Sequence, residues 1–383
     1  MNDPRVSFVV PCYNLAHLLR ECVSSILTQT YGDFEVLIMD DCSPDQTPEV
    51  AGSFGDPRVR HIRNQPNLGH LRNYNKGIEM ARGEYVWLIS ADDRLRTSTV
   101  LERYVKCMAE HPNAGYVFCP GIGLENGKET GILEYAYHGD QDAIWNGRQF
   151  LLKLLNSNSI LAASGMVRKQ CYDKVSYFPL DMPYAGDWYM WCIFALHYDV
   201  AYLAEPMVNY RLHPQTMTSQ FTRERSRVFT TEGPAVLWRM KHAAELAGHA
   251  QVANKCEQRL IDRYANYLMA ELWKGSPYCM TFQEYEESLR QHAARPGERS
   301  RINARVYAWL GDEYYLRGDF AHALEFYGRA LRQDAAMPKI WAKYALLASG
   351  KAGIGCREGL SVLRRIFVGR AGQFSSHGKP RGA

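Results

Sequence analysis

The sequence predicts an α/β fold with a mostly parallel central sheet, followed by an all-helical C-terminal region. Three observations carry this. Two apolar, β-branched runs, Val6 to Val10 and Phe34 to Met39, flank a stretch with helical apolar spacing (Leu18, Leu19, Cys22, Ile26). That is the strand–helix–strand alternation of a parallel sheet. A third apolar run, Tyr85 to Ile89, leads into the adjacent carboxylates Asp92 and Asp93. From about Ser219 onward strand signals vanish and patterns of Ala, Leu and charge take over.

The first strand is bounded by Pro11, and Pro11-Cys12-Tyr13-Asn14 reads as a turn into a helix over Leu15 to Thr28. The second strand ends in Asp40-Asp41, with Ser43, Pro44 and Asp45 behind them. In parallel α/β sheets ligands bind beyond the strand C-termini. Two such edges rich in Asp imply a site for a nucleotide and a metal. Asp92 and Asp93, at the mouth of a buried strand, would repel each other and lose hydration if unpaired. A divalent cation removes that conflict, because hard cations prefer carboxylate oxygens. The competing reading is a solvated loop in which one Asp caps the next helix.

In the helical region, one long amphipathic helix is expected after Pro234 within Arg223 to Gly248, and another over Gln251 to Lys274. A loop around Gly275-Ser276-Pro277 precedes Thr281-Phe282-Gln283-Glu284, a capping-box-like helix start. Tyr307, Leu310, Gly311, Tyr314, Gly318-Asp319, Ala323, Tyr327 and Ala330 fit one tetratricopeptide repeat, and Trp341 falls where the next would begin. A solenoid needs about three repeats, so the hairpin reads as a buttress, with a peptide groove as the alternative.

At 383 residues the chain is long enough for two cores. A formal net charge of +4 is too small to argue for nucleic acid. Ten cysteines without CxxC pairs point to reduced thiols. No signal peptide precedes the first strand and no apolar run is long enough to span a bilayer, so a cytoplasmic location is expected. Arg357, Arg364, Arg365, Arg370, Lys379 and Arg381, with Leu360, Leu363, Ile366 and Phe367, make either a packed terminal helix with a solvated basic face or one resting on the anionic inner face of a membrane. Homo-oligomerisation is left open.

Several short motifs then occur in a fixed order: Val9-Val10-Pro11-Cys12-Tyr13-Asn14, Met39-Asp40-Asp41-Cys42-Ser43-Pro44-Asp45, Asn67-Leu68-Gly69 and Asn75-Lys76-Gly77. After them come Ala81-Arg82-Gly83-Glu84-Tyr85, Ser90-Ala91-Asp92-Asp93, Gly186-Asp187-Trp188 and Tyr210-Arg211-Leu212-His213. In this order and spacing the chain resembles the family 2 glycosyltransferases, which have the nucleotide-sugar-binding GT-A fold. The resemblance covers roughly the first 220 residues. It implies a transferase domain over 1–220, while the residue patterns beyond it give a helical domain over 221–370 and a flexible tail over 371–383.

The resemblance also assigns roles. Pro11, Tyr13 and Asn14 match positions around the nucleoside, although Tyr13 alone would read as a core aromatic. Asp41 matches the carboxylate that accepts the uracil imide N–H, and Asp40 is left as structural. Asn67, Gly69 and Asn75 border the donor pocket, while Gly77 fits a ligand approach or an ordinary turn equally. Where many relatives have Ala-Arg before Asn75, this chain has Asn73-Tyr74, and Arg72 is displaced. Asp92 and Asp93 would share ribose and Mn²⁺ or Mg²⁺ contacts. Ser90 stands where a first Asp is common, so donor phosphates would complete the metal shell. His213 would close over the donor as a further metal or phosphate ligand, or be a loop residue. Arg211 would pair with the diphosphate or form a salt bridge.

Asp187, at a helix start, matches the catalytic base; as a bare sequence feature it would read as an N-cap, and Asp181 is a competitor. The implied activity is metal-dependent inverting transfer, of hexosyltransferase type, from a nucleotide-sugar, taken as a UDP-sugar. The acceptor would be a hydroxyl of a glycan or lipid-linked molecule in surface polysaccharide or glycoconjugate synthesis. Alternatives are a polypeptide or small-molecule glycosyltransferase whose helical region grips the acceptor, and an inactive transferase-like scaffold.

Overall fold

The computed structural model describes residues 3–212, 227–273, 279–295 and 297–350. His213, the loop at 275–277, the terminal basic segment and the tail lie outside these residues. In chain order the strands are β1 (Val6–Cys12), β2 (Phe34–Asp40), β3 (Val59–Arg63), β4 (Tyr85–Leu88), β5 (Arg94–Leu95), β6 (Ala114–Phe118), β7 (Gly121–Glu125), β8 (Lys128–Ile132), β9 (Ala143–Trp145), β10 (Met166–Arg168), β11 (Asp199–Tyr202) and β12 (Val208–Arg211). The helices are α1 (Ala16–Leu27), α2 (Thr47–Gly52), α3 (His70–Met80), α4 (Val100–Glu110), α5 (Gly147–Leu154), α6 (Lys169–Val175), α7 (Gly186–His197), α8 (Arg227–Leu246), α9 (Ala250–Trp273), α10 (Phe282–His292), α11 (Glu298–Leu316), α12 (Phe320–Gln333) and α13 (Pro338–Ala348).

Eight strands form one sheet in the order β3-β2-β1-β4-β10-β6-β11-β9. The run β3-β2-β1-β4 is parallel, and β10 inserts antiparallel between β4 and β6. The C-termini of β2, β1 and β4 therefore lie side by side on one edge. A second sheet, β5-β12-β7-β8, places β12 next to the segment that follows Asp93.

Every residue of β1 and β2 is buried, as expected of parallel strands covered on both faces. Trp87 of β4 stacks on Phe8 and Tyr104, with ring centroids 5.4 and 4.2 Å apart, and its indole N–H donates to the Ala163 carbonyl at 2.8 Å. A Cβ at Gly77 would overlap the side chains of Val9 and Met39. That glycine therefore lets α3 lie directly on β1 and β2, a packing role.

Two expectations about proline need correcting. Pro11 does not end β1; it pairs with Met39, and the strand runs on to Cys12. Its carbonyl accepts from Ala91 N, so in a parallel ladder its missing N–H falls on the β4 side. Regular pairing with β4 stops there, at Val9–Leu88. Pro234 likewise does not precede its helix but lies inside α8. The lost backbone bond is outweighed by the burial of Val236, Leu237, Trp238 and Met240.

The chain divides into two compact units. One comprises residues to 263 with 270–282; the other comprises 264–269 with the described residues from 283 on. Helix α8 thus belongs to the unit that holds the sheets. In the second unit α11 and α12 form a hairpin in which the Tyr327 ring fills the space left by Gly311. The Tyr327 hydroxyl donates to Asp312 at 2.7 Å, Lys343 of α13 donates to the same carboxylate at 2.6 Å, and Asp319 caps α12 through His322 N. Among the described residues no helix is long and apolar enough to cross a membrane.

Candidate active site

Asp40 and Asp41 separate into two jobs. Asp40 is fully buried and accepts from Ser43 N (2.8 Å), Arg63 (2.6 Å) and His61 (3.3 Å). Burial alone would raise its pKa, but these donors outweigh it and hold the carboxyl below its usual range. Asp41 turns the other way. Its Oδ1 accepts from Asn64 Nδ2 (2.9 Å) and Leu68 N (2.8 Å), its Oδ2 from Gly69 N (2.9 Å), and its carbonyl from Asn67 Nδ2 (2.7 Å).

Asn64 extends this network. It donates to Asn73 Oδ1 at 2.8 Å and accepts from Lys76 at 2.7 Å, while Asn73 donates to the Met39 carbonyl at 2.9 Å. The Asn67–Gly69 loop is thus pinned onto the end of β2 by one carboxylate. Gly69 sits at φ 79°, a left-handed conformation that strains other L-residues, with nothing crowding its Cβ position.

The first turn is built similarly. Pro11 is buried, whereas Tyr13 is 54% exposed, which is not how a core aromatic sits. Asn14 adopts φ 57° and its N–H donates to Ser43 Oγ at 3.0 Å. Asp45 caps α1 from a distance through Ala16 N at 2.9 Å. Asn75 pairs reciprocally with the Phe178 backbone, at 2.9 and 3.0 Å, which ties α3 to the segment leading into α7. His70 makes a second tie, from its Nε2 to the Pro183 carbonyl at 3.0 Å. Burial lowers the His70 pKa against that bond and the Asp41 charge. The neutral ring that burial favours must carry its proton on Nε2 to serve this carbonyl.

Asp92 and Asp93 follow β4, and neither caps a helix, since α4 begins only at Val100 with Thr99 at its N-cap. Asp93 is buried, and its Oδ1 accepts from Arg211 N at 2.9 Å. The Arg211 guanidinium donates to the Asp92 carbonyl at 2.8 Å and pairs with Glu21 at 2.7 Å. Burial, and then the adjacent Asp92 charge, push the Asp93 carboxyl well above its ordinary range, against Arg211. Adjacent like charges, Asp93 buried and Asp92 half-buried, with oxygen donors suit a hard cation. Among the described residues no third His, Cys, Asp or Glu joins them in a metal-binding group.

Asp187 is the second residue of α7; the N-cap position is Ala185, which has no side-chain oxygen. Its Oδ2 accepts from Asn158 Nδ2 at 2.9 Å and its Oδ1 from Trp188 N at 2.6 Å. The missing cap comes from α8. Glu232, also buried, accepts from Tyr184 N at 2.9 Å and Ala185 N at 2.6 Å. Burial pushes Asp187 up to about 6 against its two donors, and Glu232 up to about 7 against its own. The competitor Asp181 is exposed and paired with Arg239 at 2.5 Å.

The two acidic centres face common ground. The Tyr74 hydroxyl, raised first by burial, also feels Asp92, Asp187 and Asp93. That of Tyr135, likewise raised by burial, feels Tyr210, Asp187 and Asp93, although half of the residue is exposed. The sequence reading missed Asn64, Asn158 and Glu232.

The glycosyl transferase family 2 model matches residues 7–170, from β1 to the start of α6. A Mycobacterium tuberculosis protein described as uncharacterised is 36% identical over 120 residues, which are 30% of this chain and 36% of that protein. The match thus spans little more than a third of that relative. An uncharacterised glycosyltransferase of Haemophilus influenzae is 29% identical over 235 residues, covering 59% of this chain and 71% of that protein. Among solved structures, residues 1–349 of S. aureus TarS superpose with a TM-score of 0.59 at 18% identity, over 91% of this chain and 92% of that one. That likeness shows the fold.

Proposed function

We propose that the protein is a metal-dependent inverting glycosyltransferase that moves a sugar from a UDP-sugar to a hydroxyl of a glycan or lipid-linked acceptor, in the assembly of surface polysaccharide or glycoconjugate. The observation that carries this reading is that Asp93 and Asp187, from separate elements, bear on the same two tyrosines, Tyr74 and Tyr135.

Asp41 and Tyr13 would receive the nucleoside. A carboxylate offers about four acceptor sites, and Asp41 commits two on Oδ1 and one on Oδ2. One remains on Oδ2 for a ring N–H. The ends of β2 and β4 are two strands apart, about 10 Å, which suits a nucleoside at one end and its diphosphate at the other. Asp92 and Asp93 would hold Mn²⁺ or Mg²⁺, with donor phosphates completing the shell. The metal's contribution when bound is to neutralise charge growing on the leaving diphosphate.

Asp187 would then act on the acceptor. Its ionised carboxylate takes the hydroxyl proton as the acceptor oxygen bonds the anomeric carbon and the bond to the diphosphate breaks. The proton ends on Asp187. A value of about 6 leaves the group ionised near neutrality yet basic enough to share that proton. Asn158 and the Trp188 N–H fix the carboxylate's orientation. TarS has been solved with UDP-GlcNAc and with UDP, which supports a uridine donor.

Thermal shifts with UDP, ADP and GDP, each with Mn²⁺, test the donor assignment. UDP is expected to give the largest shift, and Asp41→Asn is expected to erase that preference. A larger shift with GDP or ADP would show that Asp41 does not read uracil.

A further inference from the structure

We propose that Glu232 is a positioning residue for the Asp187 base, setting the first turn of α7 from a helix outside the stretch matched to the family. This rests on the reading of Asp187 as the base. Helix α7 begins without a cap of its own, because Ala185 has no side-chain acceptor. Two backbone N–H groups at that start, Tyr184 and Ala185, converge on one oxygen of Glu232. Such groups need a partner when water is excluded, and the partner here lies 47 residues away in the chain.

Asp187 follows Ala185 by two residues, so whatever fixes this turn fixes the base. Asn158 and Trp188 N orient the carboxylate itself, while Glu232 holds the backbone beneath it. The choice of residue matters beyond hydrogen bonding. A buried carboxylate beside the base adds negative charge where Asp187 must ionise, and the Asp187 charge is among those that, after burial, raise Glu232.

The titratable and charged groups facing this joint come from every neighbouring element. Asp181 and Tyr184 lie in the preceding turn, Tyr189 on α7 and Arg239 on α8. His70 and Tyr74 come from α3, and Tyr135 from the 3-10 turn Glu134–Ala136. Asp181 and Arg239 neutralise one another as an ion pair, and Tyr189 lies under the same guanidinium. That leaves Glu232 as the acid bonded to this turn, with Asp93, past β4, the other raised acid that bears on the same tyrosines as Asp187.

The test measures UDP release with Mn²⁺, using whichever of a panel of UDP-sugars turns over fastest, for Glu232→Ala, Glu232→Gln and Asp187→Asn. Glu232→Ala is expected to lower kcat roughly 10- to 100-fold with donor KM unchanged. Glu232→Gln keeps an oxygen for both N–H groups. It is expected to restore most of kcat and to move the acid limb of the kcat–pH profile to lower pH, because a neutral neighbour lets Asp187 ionise more easily. A role in folding alone would lower Tm in both variants without moving that limb.

Wild-type kcat in Glu232→Ala, or an unmoved acid limb in Glu232→Gln, overturns the inference while an inactive Asp187→Asn leaves the base reading standing. A fully active Asp187→Asn overturns both.

Discussion

Glu35, at the start of β2, and Asp93, past the end of β4, are both buried acids at opposite edges of the parallel run, and they are treated in opposite ways. At the N-terminal edge Glu35 accepts from Ser7 Oγ at 2.8 Å, from Arg82 N at 2.9 Å and from the Arg82 guanidinium at 3.1 and 2.8 Å. Burial would raise its pKa, but these bonds win and hold it below the ordinary range. Past the C-terminal ends the outcome divides: burial is outweighed at Asp40 by Ser43, Arg63 and His61, whereas it wins at Asp93, Asp187 and Glu232, which are pushed up.

A cavity at the N-terminal edge makes the same point from the other side. Its roughly 590 Å³ lie among Arg5, Arg82, Glu84, Arg168 and Lys169. These cations are already engaged: Arg5 and Arg168 with Glu84, Arg82 with Glu35, Lys169 with the Ala81 carbonyl. An edge whose charges cancel serves folding. Acids held at raised pKa, as Asp93 and Asp187 are, store a demand for a cation or a proton, which is what phosphate-linked transfer chemistry uses.

The largest effect expected from this contrast is at Asp93. Asp93→Ala should lower UDP release by more than about a thousandfold with the fold intact, since the change removes an unfavourable charge pair. Thorough chelation with EDTA should do the same to the wild type. Full activity under either condition would place the chemistry elsewhere. Glu35→Ala should behave in reverse. It should cost about 1–3 kcal/mol of stability, because donors built around the carboxylate lose their acceptor and half-exposed Arg82 is resolvated. Turnover by the folded protein should stay near wild type, measured by denaturant unfolding beside UDP release. A matching collapse in turnover would erase the distinction between the edges.

The smallest effect is in stability against pH. Asp187 and Glu232 have folded pKa values above those of an unfolded carboxyl, so the folded state binds more protons in between. Stability should therefore fall as pH rises from about 4.5 to 7. Glu232→Gln should flatten that fall by ~1 kcal/mol, seen as a Tm difference that shrinks or reverses toward pH 7. An unchanged slope would mean that Glu232 is not raised.

Much of this was legible from residue pattern alone. The β1–α1–β2 unit and β4 follow from apolar runs with β-branched residues. The acid pairs at the ends of β2 and β4 marked the ligand edge. What the pattern could not show were contacts made across long stretches of chain. Asn64 sits after β3 in an unremarkable Asn-Gln-Pro sequence, yet it links Asp41 to Asn73 and Lys76. Asn158 lies 29 residues before the carboxylate it orients. Glu232 stands two residues before Pro234, ahead of the helix expected from the sequence, yet lies inside α8. Pro11 and Pro234 misled for one reason: proline forbids a backbone donor, not a position, and each falls where that donor is expendable or outweighed.

Asp45 and Glu232 complete the comparison. Each caps a helix across the chain, α1 and α7 respectively. For Asp45 burial is outweighed by Thr47 and Ala16 and the pKa falls, whereas for Glu232 it rises. The same device is neutral in structure at one helix and electrostatically loaded at the one that carries the base.

The central claim, that binding and proton removal are separate tasks of this edge, is tested most directly by Asp187→Asn. UDP binding with Mn²⁺ and UDP release from a UDP-sugar would be measured on the same preparation. Binding within about twofold of wild type, with turnover lower by roughly two to four orders of magnitude, is the expected result. Near-wild-type turnover would contradict the account, leaving Asp187 as a helix-start residue and Asp181 as the next acid to examine.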